Sequence, residues 1–283
     1  MIAVASIALA MLLSATQRPD SGVIGARHPS YSSDGRLAIA IRGDLWMQSA
    51  GASWARITSG SAWDRDPTWS PDGKAIVYSS DRDGAFHLWR IAIGAGGVAA
   101  EPERLTSAAE SDAEPSVAAD GRIAFARGRG AAARIWIRAA DGTERRLTKS
   151  QARERWPAFD PKGARIAYVS ATERATQLRL RTLANDSDRV VLGDRRAEWP
   201  AWSPLGDRIA FTVASPEGVW VTPATEGHYG SYVNLLSARH AAPAWSPDGK
   251  RIAMAELPND EVGYNGDPDR LAGREAGDEL AQR

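Results

Sequence analysis

The chain has 283 residues, 43% of them apolar and 25% charged, and its 35 basic residues are balanced by 35 acidic ones. That is enough apolar material for a buried core, without the basic field that gathers nucleic acid or anionic lipid. The absence of Cys excludes disulfides, thiolate metal sites, a Cys nucleophile and a Cys-linked lipid anchor.

In chain order, the first segment is "MIAVASIALAMLLSAT", apolar almost throughout from Ile2 to Leu13. It is shorter than the roughly 20 residues a helix needs to cross a bilayer and fits a secretory signal peptide over residues 1–16, with a short uncleaved anchor as the competing reading. The expectation is an exported protein, periplasmic or secreted, touching membrane only through this N-terminal segment.

Repeats follow. "PTWSPDGKAIV" from Pro67, "PAWSPLGDRIA" from Pro200 and "PAWSPDGKRIA" from Pro243 are near copies, with looser versions from Pro29, Pro115 and Pro157. The six prolines are separated by 38, 48, 42, 43 and 43 residues, a period shared by β-propeller blades and helical arrays. Content decides between them. Each period continues to a Gly at a fixed place (Gly35, Gly73, Gly121, Gly163, Gly206, Gly249) and then to a short run such as "RIAYVS". Such runs, bounded by Gly, Asp and Pro, are strands. The Gly supplies positive φ to a tight turn, and Asp72 or Asp248 before it favours that turn through its own backbone, so Asp-Gly is a turn and not a metal loop.

A second apolar strand carries Trp46, Trp89, Trp136 and Trp220 at its centre, with Leu180 in the fourth copy. A third cue closes each unit: "RIT" at Arg56, "RLT" at Arg104 and Arg146, then "RVVL" at Arg189 and "VNLL" at Val233. Four strands per period make a propeller blade. Consecutive apolar residues such as Ile166, Ala167 and Tyr168 fit sheets buried on both faces, so most of the eleven Trp are core. The expected fold is all-β: a six-bladed propeller of four-stranded antiparallel blades over residues 23–256. The last blade is incomplete after "RIAMAELPND" and is closed by Val23 and Ile24, by the tail near Val262 to Tyr264, or by a partner. Residues 257–283 form an acidic tail expected to be disordered.

The pattern P-x-W-S-P-D-G-x-x-I-A, then a Trp strand and R-L-T, resembles the PD40 or WD40-like repeats of the TolB-like propeller family over about residues 23–256. The resemblance implies a six-bladed propeller of the periplasm of a Gram-negative bacterium that binds other proteins and catalyses no reaction. Similar repeats also occur in propellers fused to prolyl-oligopeptidase-type peptidases. The family's α/β domain ahead of the propeller has no counterpart in the dozen residues between leader and first repeat.

With each inner strand starting at its proline, the segments ahead of the prolines become loops crossing to the mouth of the channel. They nominate Trp63, Asp64, Arg65, Asp66, Glu114, Arg155, Trp156, Glu198, Trp199 and His240 as a partner-binding rim, since Trp and Arg dominate interfaces. The partner expected is a protein or peptide, possible envelope components included, met by a monomer. No catalytic constellation is found: there is no G-x-S-x-G elbow, and no cofactor or metal is expected. The alternatives are a metal-dependent propeller enzyme, a glycan lyase or hydrolase, using His28 and His240, and an orphaned propeller of a larger peptidase.

Overall fold

The computed structural model describes residues 26–49, 52–94, 97–193, 196–214, 217–224, 233–236 and 240–256. The leader, the tail and Val23 and Ile24 lie outside the described residues, as do the expectations for those segments.

Local chemistry sets the strands. The first sheet is β1 (Ala26–Tyr31), β2 (Leu37–Ile41), β3 (Asp44–Gln48) and β4 (Ala55–Arg56). The second has β5 (Asp64–Trp69), β6 (Ala75–Ser80) and β7 (His87–Gly94), whose outer edge is shared by β8 (Gly97–Val98) and β9 (Glu103–Arg104). The third is β10 (Asp112–Val117), β11 (Ile123–Arg127), β12 (Arg134–Arg138) and β13 (Glu144–Arg146). The fourth is β14 (Arg153–Phe159), β15 (Arg165–Ala171), β16 (Thr176–Thr182) and β17 (Asp188–Leu192). The fifth is β18 (Ala197–Trp202), β19 (Arg208–Ala214), β20 (Glu217–Pro223) and β21 (Val233–Leu236), and the last sheet has two strands, β22 (His240–Trp245) and β23 (Ile252–Glu256). All neighbours are antiparallel. The fold is an all-β propeller of small antiparallel sheets. The expectation of six four-stranded blades is corrected: among the described residues five blades have their full strands and the sixth sheet has two.

The Gly turns form as expected. Gly73 has φ 68° and donates its N–H to the Ser70 carbonyl at 2.8 Å, while Asp72 Oδ1 accepts the Lys74 N–H at 3.0 Å. The R-L-T cue also has a mechanical role. Thr58, Thr106 and Thr148 accept, on Oγ1, the N–H groups of Leu45, Leu88 and Ile135 at 3.0, 2.9 and 3.2 Å, and Arg104 Nε donates to the Thr106 carbonyl at 2.8 Å. The threonine thus continues the ladder with its side chain where the outer strand leaves it.

Blades are clamped by an arginine after the turn. Arg36, Arg122 and Arg165 donate through Nη2 to the carbonyls of Gly73, Gly163 and Gly206 in the next blade at 2.6, 2.7 and 2.9 Å. Arg36 and Arg165 also lie 4.5 Å over the rings of Trp69 and Trp202, so the recurrent Trp is both core and a cation–π partner. The inner strands follow one another around the axis, and β1 packs against both β5 and β22, which brings the first and last sheets together.

Candidate functional site

The inner strands share a feature that their proline conceals. Each begins three or four residues ahead of it, and the residue just before the proline has positive φ: His28 49°, Asp66 54°, Glu114 59°, Trp156 53°, Trp199 46° and Ala242 47°. Each strand shifts register there, between Arg27 and Ser30, Arg65 and Thr68, Ala113 and Ser116, Arg155 and Ala158, Glu198 and Ala201, and Ala241 and Ala244. This is a β-bulge repeated in all six inner strands. A residue before proline ordinarily stays extended, so the left-handed conformation costs about 1–3 kcal/mol per residue. It re-aims six side chains onto one ring.

That ring lines a channel of about 480 Å³ together with the six prolines and Ser30, Thr68 and Ser116. The two halves of its wall differ. On one arc, His28 Nδ1 lies 3.0 Å from Asp66 Oδ1, and Asp66 Oδ2 accepts the Glu114 N–H at 3.3 Å. Glu114 repeats the move one blade on: its Oε2 accepts the Trp156 N–H at 2.8 Å and its Oε1 accepts Arg155 Nε at 2.8 Å, with a second contact from Nη2. Each carboxylate satisfies the N–H that the bulge of the following blade has released from the ladder. Burial pushes the Asp66 carboxyl up, but the charges of His28 and Arg65 and the Glu114 N–H outweigh it and hold the group below the ordinary carboxylate range. Burial holds His28 below the usual histidine value against the pull of Asp66. On the other arc, Trp156 and Trp199 meet with ring centroids 5.1 Å apart at 51°, and Ala242 completes the ring.

Of the nominated residues, Asp66, Glu114, Trp156 and Trp199 come together on the channel wall; Arg65, buried with its guanidinium 3.9 Å over the Phe86 ring, reaches it through Asp66 at 3.5 Å, and Arg155 reaches it through Glu114. The others sit elsewhere, because the presumed crossing loops are partly strand. Trp63 donates its N–H to Asp81 at 2.7 Å and lies against Gly43 of the preceding blade. Asp64 is buried and paired with Arg82 at 3.2 Å. Glu198 stands one residue outside the ring, half-buried, and desolvation pushes its carboxyl up to about 7 despite Arg153, Arg155 and Arg196 nearby. His240 opens β22, and its side chain lies outside the described part. The residues missed from the sequence are the wall itself, the prolines and the Ser or Thr after them; the repeated P-S and P-T pairs were the available signal.

The repeat chemistry and the ring agree with a family model described as the TolB beta propeller domain, which matches residues 13–156. The chain belongs to the TolB β-propeller family. A candidate TolB from Agrobacterium tumefaciens superposes with a TM-score of 0.69 at 20% identity, over 82% of this chain and 90% of that one. TolB from Acinetobacter baumannii gives 0.67 at 19% identity, and the match covers 80% of this TolB-family chain but only 59% of the Acinetobacter one. An oligogalacturonate lyase solved with manganese also shares the fold, with a TM-score of 0.59 at 16% identity over 83% and 78% of the two chains. No curated protein matches by sequence. Among the described residues of this TolB-family propeller, no three His, Asp or Glu side chains are grouped as metal ligands would be.

Proposed function

We propose that the protein is a non-catalytic propeller, periplasmic or secreted, that binds a protein or peptide at the mouth of its channel. What carries the reading is the ring of six bulged residues. Backbone strain is retained six times to present a hydrogen-bonded acidic arc beside a paired-Trp arc, and strain held in this way marks functional surfaces. An arc of carboxylates opposite an arc of indoles suits an extended peptide, which carries polar backbone and apolar side chains together. Family membership and the apolar leader support placement outside the cytoplasm. The propeller is taken to have six blades, since six inner strands surround the channel.

The test uses the full chain immobilised and offered a cell-envelope extract, with captured proteins identified by mass spectrometry. Changing both Trp156 and Trp199 to Phe keeps the arc apolar while altering its shape, and should remove captured partners with the fold intact by circular dichroism. Equal capture by the double variant would sink the site. Cell fractionation with N-terminal sequencing tests the location, and recovery of the intact leader in the cytosol would refute it.

A further inference from the structure

The polar arc of the channel wall is saturated by its own side chains. In the bulged ring, Asp66 accepts the Glu114 N–H and Glu114 accepts the Trp156 N–H. A second tier beneath the ring repeats the arrangement just after the prolines: Ser30 Oγ accepts the Trp69 N–H at 3.2 Å, and Ser116 Oγ accepts the Phe159 N–H at 3.0 Å. These N–H groups lie off their own ladders. Bonded and non-bonded pairs alternate along antiparallel strands, and the next residues, Ser70 and Asp160, donate to the Ala75 and Arg165 carbonyls of the second strands at 2.9 Å each.

The other arc keeps this backbone and lacks the acceptors. Ser32, Ser203 and Ser246 donate to the carbonyls of Arg36, Arg208 and Arg251, each at 2.9 Å, so the N–H groups of Tyr31, Trp202 and Trp245 leave the ladder as those of Trp69 and Phe159 do. The preceding blades offer them Ala244, Ala158 and Ala201 in the places of Ser30 and Ser116, all on the channel wall. A methyl group accepts nothing, and among the described residues these three N–H groups have no acceptor. Trp69 adds a side-chain donor. It lies on the same wall at 5% exposure, and its Nε1 has no partner among the described residues, whereas Nε1 of Trp202 and of Trp245 donates to the Ala158 and Ala201 carbonyls at 2.9 and 3.2 Å.

Buried N–H groups are almost always paired, and backbone N–H groups gathered without an acceptor attract anions. Asp66 and Glu114 do not compete for an incoming cation, because both are already engaged by His28, Arg65, Arg155 and the bulge N–H groups. We propose that the second tier binds the C-terminal carboxylate of a peptide, with the N–H groups of Tyr31, Trp202 and Trp245 as donors and an apolar side chain of the peptide against Trp156 and Trp199. Capture of a chain end by backbone N–H groups is a recurrent mode of recognition. A chain end reaches a tier below the mouth of a channel of about 480 Å³ directly, whereas an internal Asp or Glu would need the peptide to enter and turn back. The inference rests on the reading of the channel as a peptide site and adds the group that is recognised.

The test offers the immobilised full chain two mixtures of random decapeptides, identical except that one ends in a free carboxylate and the other in an amide, with retained peptides measured by mass spectrometry. The free-acid mixture should be retained at least tenfold better. Equal retention of both overturns the carboxylate assignment and leaves the peptide site standing, and retention of neither overturns both. Retention of both mixtures confined to peptides containing Asp or Glu also overturns it, by moving recognition to a side chain. A second measurement uses Ala201→Ser with Ala244→Ser, which supplies the Trp245 and Tyr31 N–H groups with the acceptor that Ser30 and Ser116 provide elsewhere. This variant should melt no lower than the wild type and lose at least tenfold of the free-acid retention. Undiminished retention, or a lowered melting temperature, overturns the proposal.

Discussion

The two arcs of the channel wall are built on one backbone plan and stabilised by opposite means. From His28 to Glu114 the bulged residues are polar, and each carboxylate is held by hydrogen bonds to the next blade. From Trp156 to Ala242 they are apolar, and the indoles belong to a large cluster with Leu178, Val191, Phe211 and Trp220. The difference shows that the bulge specifies where a side chain points and leaves its chemistry open, so one repeat can present either a charged or an apolar wall.

The largest break in this comparison comes from the acidic arc. Glu114→Ala removes a buried carboxylate partner of Arg155 and leaves the Trp156 N–H without that acceptor; the expected loss in denaturant unfolding is about 3 kcal/mol, at the low end for broken buried pairs. Trp156→Ala on the apolar arc empties a cavity instead and should cost about 3 kcal/mol, with loss of near-ultraviolet dichroism from the Trp156–Trp199 pair. Near-ultraviolet dichroism retained in Glu114→Ala and lost in Trp156→Ala would sharpen the arcs as polar and apolar; its loss in both alike would break the distinction.

Titration separates Asp66, on the polar arc, from Glu198, which stands beside the apolar arc and outside the ring. Asp66 has a depressed value, so its contribution is present above the ordinary carboxylate range and is lost as pH falls through its folded value. Glu198 is raised from 4.5 to about 7. Its neutral form is favoured in the folded state, so stability declines as pH rises between those values. Glu198→Gln should flatten the decline in melting temperature over that window while leaving the acid limb in place; an unaltered profile would remove Glu198 from the account.

Smaller effects test the shared scaffold. Arg165→Ala removes the bond to the Gly206 carbonyl and the contact with Trp202 and should cost about 1–2 kcal/mol by chemical denaturation. Ala242→Gly relieves a residue held at φ 47° and should stabilise the protein by up to about 1 kcal/mol, since glycine adopts that conformation without steric penalty. A destabilised Ala242→Gly variant would argue against strain at the bulge.

Most of the blade was legible because it rests on local rules. Gly73 and Asp72 make the turn their sequence announces, the apolar runs after it become buried strands, and Thr58, Thr106 and Thr148 recur because each closes the same ladder. The channel wall was half legible. Asp66, Glu114, Trp156 and Trp199 were found from their place before proline, but Asp64 and Trp63 were grouped with them because a residue before proline was read as the end of a loop.

The sequence alone determined the repeat, the turns, the four-strand order and the family, since each depends on residues within about one period of one another. Only the tertiary structure decided which side chains meet. A bulge rotates one residue in each inner strand onto the axis, its neighbours turn into the gaps between blades, and the hydrogen bonds that hold this arrangement join residues 42 to 48 positions apart.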